Sequence, residues 1–391
     1  MLALGATSFL ADTSSEMVYP LLPALVVMLG GTAASLGLVE GFADATASLL
    51  KLVSGRLSDR AARKAPLVVL GYGIAALGKP LLALATSPLH VLGIRMFDRL
   101  GKGVRSAPRD ALLSGAVPRE HAGYAFGVHR AMDHAGAIAG PLCAMLLLSL
   151  GVPVRALFYV ALVPGLLAVA SLALVSEPKA LPAPFALAGA REAQAAQVER
   201  EAPTRLPPAL RRYLAVLFLF SLGNSSDAFL LHRASQLGVK AAWLPALWML
   251  LSASKLTSSW LGGGLADRMP RLRVIQLGWL VYALAYLGLA LAWSPWQAVA
   301  LFLLYGIYHG LTEPAEKAIV KDLAPARIQG RAFGAYHFVT GIAAIPASLL
   351  TGWLFERAGA FVALGAGSAI AIASSFVLAA MLRQDQPHAR P

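Results

Sequence analysis

Apolar residues recur along this chain in windows of about 20, each closed by a short polar or Gly- and Pro-containing break. The windows fall near residues 3–29, 33–57, 66–86, 89–115, 122–150, 153–175, 212–232, 241–265, 273–293, 296–320, 329–354 and 359–382. A helix needs about 20 apolar residues to cross a hydrocarbon core of ~30 Å, so the pattern predicts twelve transmembrane helices. A transmembrane β-barrel would show alternating segments of ~10 residues instead, and none is present. Windows two, four and ten carry charges that hydropathy alone would penalise; they are kept because an internal repeat supplies each with a partner.

The longest interruption lies between Glu177 and Arg212, where Pro, Ala and charged residues replace the apolar pattern. Such a stretch reads as a connector, with room for a short amphipathic helix around Arg191 to Glu201. Residues 1–176 and 212–391 are therefore expected to be two six-helix bundles joined by the segment 177–211.

The halves repeat one another. A charged turn, GRLSDRAARK from Gly55 to Lys64, returns as GGLADR from Gly263 to Arg268. Thr13-Ser14-Ser15-Glu16 matches Asn224-Ser225-Ser226-Asp227, and Gly123-Tyr-Ala-Phe-Gly127 matches Gly330-Arg-Ala-Phe-Gly334. The offsets of 208, 211 and 207 are nearly constant. Parallel repeats related by an axis along the membrane normal are the architecture of a transporter that rocks about a midplane site.

Composition agrees with a membrane protein. Hydrophobic residues make up 58% and charged residues 14%, with a mean hydropathy of +0.66, against about 45–50% and 25% in globular proteins. The formal charge of +13 is concentrated in alternate loops: Arg60, Arg63 and Lys64; Arg109 and Arg119; the connector; Arg268, Arg271 and Arg273; Lys321 and Arg327; and the tail. That asymmetry places these loops and both termini in the cytoplasm, in a multi-pass protein of a bacterial-type inner membrane. Arg155, Arg233, Lys240 and Arg357 are exceptions. The charge is thereby accounted for without nucleic acid. The lone Cys143 has no intrachain disulfide partner, and no cleaved signal peptide is expected, since no positive n-region or small-residue cleavage site frames the first window.

Ionisable residues inside the windows carry the chemistry, since each costs at least ~2.5–3.5 kcal/mol at a helix centre and so faces a cavity or a partner. Asp12 and Glu16 share a face of the first helix, and Glu40, Asp44 and Lys51 share one of the second. In the fourth, Arg95, Asp98, Arg99 and Lys102 form a stripe that Arg105 and Arg109 extend toward the cytoplasm, where solvation makes charge cheap. The stripe reads either as an ion-pair network with Glu40, Asp44 or Asp98, or as a cavity wall that binds an anionic group or tunes a carboxylate. Arg130 and Asp133, three apart, can satisfy one another. Asp227, Lys255 and Glu313 are the C-terminal candidates, with Glu316 and Lys317 placed near the cytoplasmic end. Partial dehydration helps a carboxylate take up and release protons. Asp12, Glu16, Glu40, Asp44 and Asp133 are thus the proton-coupling candidates, and Arg95, Asp98, Arg99, Lys102, Asp227, Lys255 and Glu313 the substrate-cavity candidates. His129 and Asp133 form an HxxxD pair on a membrane helix with no nucleophile or metal partner at usable spacing, so no enzyme, metal or cofactor is expected.

The chain resembles the major facilitator superfamily over essentially its whole length. The family's loop signature G-x-L-x-D-R-x-G-R-R/K is matched by Gly55, Leu57, Asp59, Arg60, Arg63 and Lys64, with Ala62 in place of the usual Gly. Gly136-Ala-Ile-Ala-Gly140-Pro141 resembles the G-x-x-x-G-P signature of exporters and antiporters, and Asp12-Thr13 with Pro20 and Pro23 is similar to the first-helix motif of drug:proton antiporters. The resemblance implies that Gly55, Asp59, Arg60, Arg63, Lys64, Asp267 and Arg268 form a cytoplasmic gate; the plainer reading is a topology anchor. It implies for Gly136, Gly140 and Pro141 either close helix packing or a hinge. The function it implies is proton-coupled export, by antiport, of a small organic solute. The alternatives are a symporter of an anionic metabolite and, less favoured, a non-transporting receptor or scaffold. The expected partners are a small molecule, protons and the bilayer, with the chain acting as a monomer.

Overall fold

The computed structural model describes residues 2–31, 33–174, 205–240 and 243–384; most of the expected connector and the end of the tail lie outside them. Among the described residues the chain is helical and has no strand. In the first half α1 (Leu2–Val18) and α2 (Leu22–Met28) are followed by α3 (Ala33–Arg60), α4 (Ala65–Ala83), α5 (Pro88–Gly115), α6 (Ala122–Ser149), α7 (Val154–Val160) and α8 (Leu162–Ser171). In the second, α9 (Pro208–Gly223), α10 (Asp227–Gln236), α11 (Leu244–Arg268), α12 (Arg271–Leu291) and α13 (Pro295–Leu323) lead into α14 (Gln329–Gln384).

Helix limits follow local chemistry. Ser87 and Ser294 cap α5 and α13, each hydroxyl accepting from the backbone three residues on, and Gln297 completes a capping box. The first window is broken by a 3-10 turn at Tyr19–Leu21, where Pro20 cannot donate to the helix. The seventh is broken at Asn224–Ser226, after which the Ser226 hydroxyl caps α10. The eleventh and twelfth windows run together as α14, bent at Gly359, where φ is 81°.

Six helical stretches are long and apolar enough to cross a membrane by composition alone. Those that fall short are α1, α3, α5, α11 and α13. All except α11 contribute charged side chains to the central cavity described below, so cavity lining is what lowers their hydropathy.

Two of the basic residues that break the loop asymmetry have a structural role. Arg233 donates to the Leu289 carbonyl at 3.0 Å and to those of Ala290 and Ala292, at the C-terminus of α12. Arg155 donates to the Ala85 carbonyl just past α4. A cation on a helix C-terminus satisfies orphan carbonyls and the helix dipole.

The halves meet through α6 against α11 and through α3 against the first part of α14. Glycines bring these backbones together: a Cβ on Gly55 would sit 2.4 Å from the Gly330 carbonyl, and one on Gly263 would sit 2.5 Å from the Gly123 carbonyl.

Candidate functional site

The closure of the halves lies at the face carrying the charged turns, here the basic face. Asp59, at the end of α3, accepts from the backbone N–H groups of Gly330 and Arg331 at 2.7 and 3.0 Å. Asp267, at the end of α11, accepts from those of Gly123 and Tyr124, both at 2.7 Å. Each acidic residue of one half therefore caps the start of an interface helix in the other, where orphan donors and the helix dipole favour a carboxylate. Arg60, Arg63 and Arg268 are exposed at the surface around these caps. Arg271 and Lys321 add further cross-half bonds, Arg271 to the Arg119 carbonyl and Lys321 to the carbonyl of Ser114 at 2.7 Å. Asp59→Ala together with Asp267→Ala is expected to cost about 1 kcal/mol per cap and to loosen this closure. Faster modification of a cysteine introduced at Thr340, which lines the cavity above, by a bulky maleimide in a Cys143→Ser background would report it; an unchanged rate would leave the turns as topology anchors.

Above the closure is a cavity of about 340 Å³ between the halves. Its floor is ionic and crosses the interface twice. Asp110 of α5, fully buried, accepts from Lys317 of α13 at 2.9 Å, lies 2.8 Å from His337 Nε2 of α14, and is bound by the neighbouring Arg109 at 3.2 Å. Arg130 of α6 reaches Glu313 of α13 at 2.6 Å while Asp133 of its own helix holds it at 3.0 Å. Glu316 accepts from Tyr336 at 2.8 Å within the second half.

One wall is cationic. Arg95, Arg99, Lys102, Arg105 and Arg109 follow one face of α5 over about 21 Å at the helical rise of 1.5 Å, and the last three line the cavity with Lys51 of α3. The positions 207 residues on, in α13, are Phe302, Gly306, His309, Thr312 and Glu316, none of them Lys or Arg. The opposite wall offers Phe220, Ser221, Asn224, Tyr308, His309 and Thr312. The charge is thus asymmetric although the fold is pseudo-symmetric.

The structure gathers some of the sequence candidates and disperses others. Asp12, Lys102, Asp133 and Glu313 line the cavity. Glu16, Arg95, Asp98 and Arg99 surround a small side pocket with Lys79 instead. There Arg95 pairs with Asp98 at 3.3 Å, and Arg99 reaches the exposed Asp44 at 3.4 Å, so the ion-pair reading describes this end of the stripe. The side chain of Glu40 lies outside the described residues. Asp227 and Lys255 pair with one another at 3.3 Å, with Tyr305 donating to Asp227, and do not line the cavity.

Two expectations need correction. Arg105 and Arg109, expected in cytoplasmic solvent, and Glu316 and Lys317, expected near the cytoplasmic end, all line the cavity, with Arg105 only 7% exposed and Lys317 1%. The reason is that α5 and α13 continue to Gly115 and Leu323, and the closure of the halves buries their basic-face ends. Asp110 and His337 are not among the residues that the linear pattern singles out. The repeat held a signal for one of them: Lys317 follows Asp110 by 207 residues, an opposite charge at the equivalent position.

Gly136 and Gly140 face α1, where a Cβ would lie 2.4 Å from the Phe9 carbonyl and 2.6 Å from that of Thr13. They let α6 carry Asp133 close beside Asp12, whose electrostatic neighbours also include Arg105 and Lys102.

The described helices thus close at one face over a polar central cavity. The chain belongs to the Major Facilitator Superfamily, whose family model matches residues 4–348. It is 35% identical over 382 residues to an uncharacterised MFS-type transporter of Methanocaldococcus jannaschii, covering 96% of this chain and 93% of the relative. It is 26% identical over 347 residues to the multidrug resistance protein MdtG of Serratia proteamaculans, covering 83% and 79%. Among solved structures, the human organic anion transporter MFSD10 superposes with a TM-score of 0.77 at 18% identity, over 96% of this chain and 98% of that one. The fucose:proton symporter FucP of E. coli does so with 0.75 at 16%, over 97% of each. At these identities the likeness is one of fold.

Proposed function

We propose that this chain is a proton-coupled secondary transporter of a small anionic organic solute, with the basic face in the cytoplasm. The observation that carries the reading is the one-sided cationic wall of Lys51, Lys102 and Arg105 in the central cavity. A permanent excess of cations beside a solute path attracts anions and repels organic cations. Asp12 is the preferred coupling carboxylate, because it alone of the α1 and α3 candidates lines the cavity, beside Lys102 and Arg105.

The charge arrangement also bears on the direction of coupling. A proton on Asp12 removes a negative charge next to the cationic wall and so strengthens anion binding; by linkage the anion strengthens proton binding to the same extent. Positively linked ligands travel together, which favours symport. The antiport expectation keeps one support, the similarity to MdtG proteins named for multidrug resistance.

The test is transport by the purified protein in liposomes of phosphatidylethanolamine and phosphatidylglycerol under an imposed pH gradient. The solutes are radiolabelled succinate, benzoate, glucose and tetraphenylphosphonium. Anion accumulation on the alkaline side, with protons moving the same way and abolished in Asp12→Asn, is the expected result. Proton flux opposite to solute would return the assignment to antiport, and flux of the cation alone would overturn the anionic reading.

A further inference from the structure

One segment of the internal repeat is used differently in the two halves. Thr13-Ser14-Ser15-Glu16 lies inside α1, which stays helical to Val18. Its hydroxyls are spent on backbone: Thr13 donates to the Phe9 carbonyl at 2.8 Å, Ser15 to that of Ala11 at 2.9 Å, and Ser14 to that of Ala161. The matching segment, Asn224-Ser225-Ser226, is where the helix breaks, with Asn224 at φ −94° and ψ 89°. Non-helical backbone at membrane depth persists only where protein satisfies it or where it lines a cavity. Here both hold. Buried tyrosines of α12 and α13 pin the break: Tyr282 donates to the Gly223 carbonyl at 2.6 Å, Tyr286 lies 3.3 Å from the Ser225 hydroxyl, and Tyr305 donates to Asp227 at 2.5 Å. Ser221 and Asn224 are thereby held at the central cavity beside Tyr308, in the wall opposite the cations of the first half.

The protein does not use up the hydrogen-bonding capacity of these groups. Ser221 is only 6% exposed, yet its hydroxyl has no hydrogen-bond partner among the described residues. Asn224 donates to the Tyr308 hydroxyl at 3.2 Å, which leaves the amide oxygen of Asn224 and the hydroxyl proton of Tyr308 without a partner among them. An acceptor, a donor and a group that is both therefore border the solute path, and none of them is charged. Burying such groups without hydrogen bonds is costly. Water serves them when no solute is bound. An alkyl chain that displaced this water would leave them dry, whereas a run of hydroxyls, each a donor and an acceptor, replaces it bond for bond. Resting on the anion-transport reading, we propose that the substrate is a small polyhydroxylated organic anion, its charged group toward Lys51, Lys102 and Arg105 and its hydroxyls against Ser221, Asn224 and Tyr308. The cationic wall selects the charge. The wall at the broken helix selects the hydroxyls and discriminates against alkyl acids of the same charge and length.

The experiment holds charge and chain length constant and changes only the hydroxyls. Gluconate is compared with hexanoate, glycerate with propionate, and glucose 6-phosphate with hexyl phosphate. Binding to the purified full-length protein in detergent is measured by calorimetry at one pH and one ionic strength. In at least one pair the hydroxylated member should bind about tenfold or more tightly, because each hydrogen bond gained and each wall group left dry by the alkyl chain act in the same direction. In that pair Ser221→Ala and Asn224→Ala should each lower the ratio by about threefold, weakening the hydroxylated anion and not the alkyl one, while the protein stays monodisperse on gel filtration. Lys102→Gln should weaken both members alike and keep the ratio. Alkyl members binding as tightly as their hydroxylated partners in every pair, or both alanine variants weakening the two members equally, would overturn the hydroxyl-recognising wall and leave anion transport standing. Sorbitol binding as tightly as gluconate would overturn the anionic end and the anion-transport reading with it. Absence of binding by every member of the three pairs would overturn both.

Discussion

Asp110→Asn is expected to open the floor of the cavity. The carboxylate is fully buried and carries Lys317, His337 and Arg109, two of them from the opposite half. Asparagine keeps the volume but leaves Lys317, at 1% exposure, without its counter-charge. Removing one partner of a buried pair costs about 3–5 kcal/mol, because the survivor stays desolvated and uncompensated. Only the closed state contains the pair, so the penalty falls on that state and shifts the population toward its opening by tenfold or more on the scale of about 1.4 kcal/mol per decade. The measurement is modification of Thr340→Cys, in a Cys143→Ser background, by an impermeant maleimide applied at the basic face. The rate should rise by about the same factor in Asp110→Asn. Asp110→Asn combined with Lys317→Met removes both charges and should return the rate toward that of the parent, since replacing a buried pair by apolar groups is often neutral. If the single variant labels no faster than the parent, the cross-half pairs do not hold the floor shut.

Gly136→Ala is expected to be strongly damaging despite adding a single methyl group. Its added methyl would lie 2.4 Å from the Phe9 carbonyl oxygen and 3.1 Å from the Cβ of Asp12. The obstacle is backbone, so relief requires α1 and α6 to move apart. Overpacking of this kind costs about 1–3 kcal/mol in ordinary cores, and here the displacement also moves Asp12 away from Asp133 and Lys102. Gly73→Ala in α4 is the control: nothing lies within 4 Å of its new methyl, and alanine is favoured over glycine within a helix by about 0.5–1 kcal/mol. Thermal unfolding in detergent should show a clear fall in midpoint for the first and none for the second, with transport lost only in the first. Equal midpoints would mean that the α1–α6 contact has slack that the geometry does not suggest.

Both expectations concern residues that the linear pattern treats very differently. Gly136 is legible in sequence, because two glycines four apart on an apolar helix announce a close neighbour; which helix that neighbour is cannot be read from spacing, and it is α1. Asp110 is not legible as part of a floor, because its cross-half partners are more than 200 residues away and the window edges near it are polar. Asp227 and Lys255 illustrate the converse. Their charges within apolar windows suggested a substrate site, yet they satisfy one another and Tyr305 away from the cavity. A buried charge announces that a partner exists without saying whether the partner is protein or solute.

The sequence by itself determined that this chain lives in a membrane, that its helices fall into repeating halves, and that α5 carries a stripe of cations. Those properties follow from window length, charge cost and helical periodicity, which act within a few turns of one helix. The tertiary structure decided how the repeats are used. The charged turn and the GxAFG segment recur in each half with no sign of a relation between them. In the fold, Asp59 of one half caps the segment at Gly330 and Asp267 of the other caps the segment at Gly123. It also decided which end of the α5 stripe is the site: Arg95 and Arg99 are matched by Asp98 and Asp44, while Lys102 and Arg105 are left facing the cavity with Lys51. Periodicity sets the face of a helix on which a charge lies, but only packing across the two halves sets what that face meets.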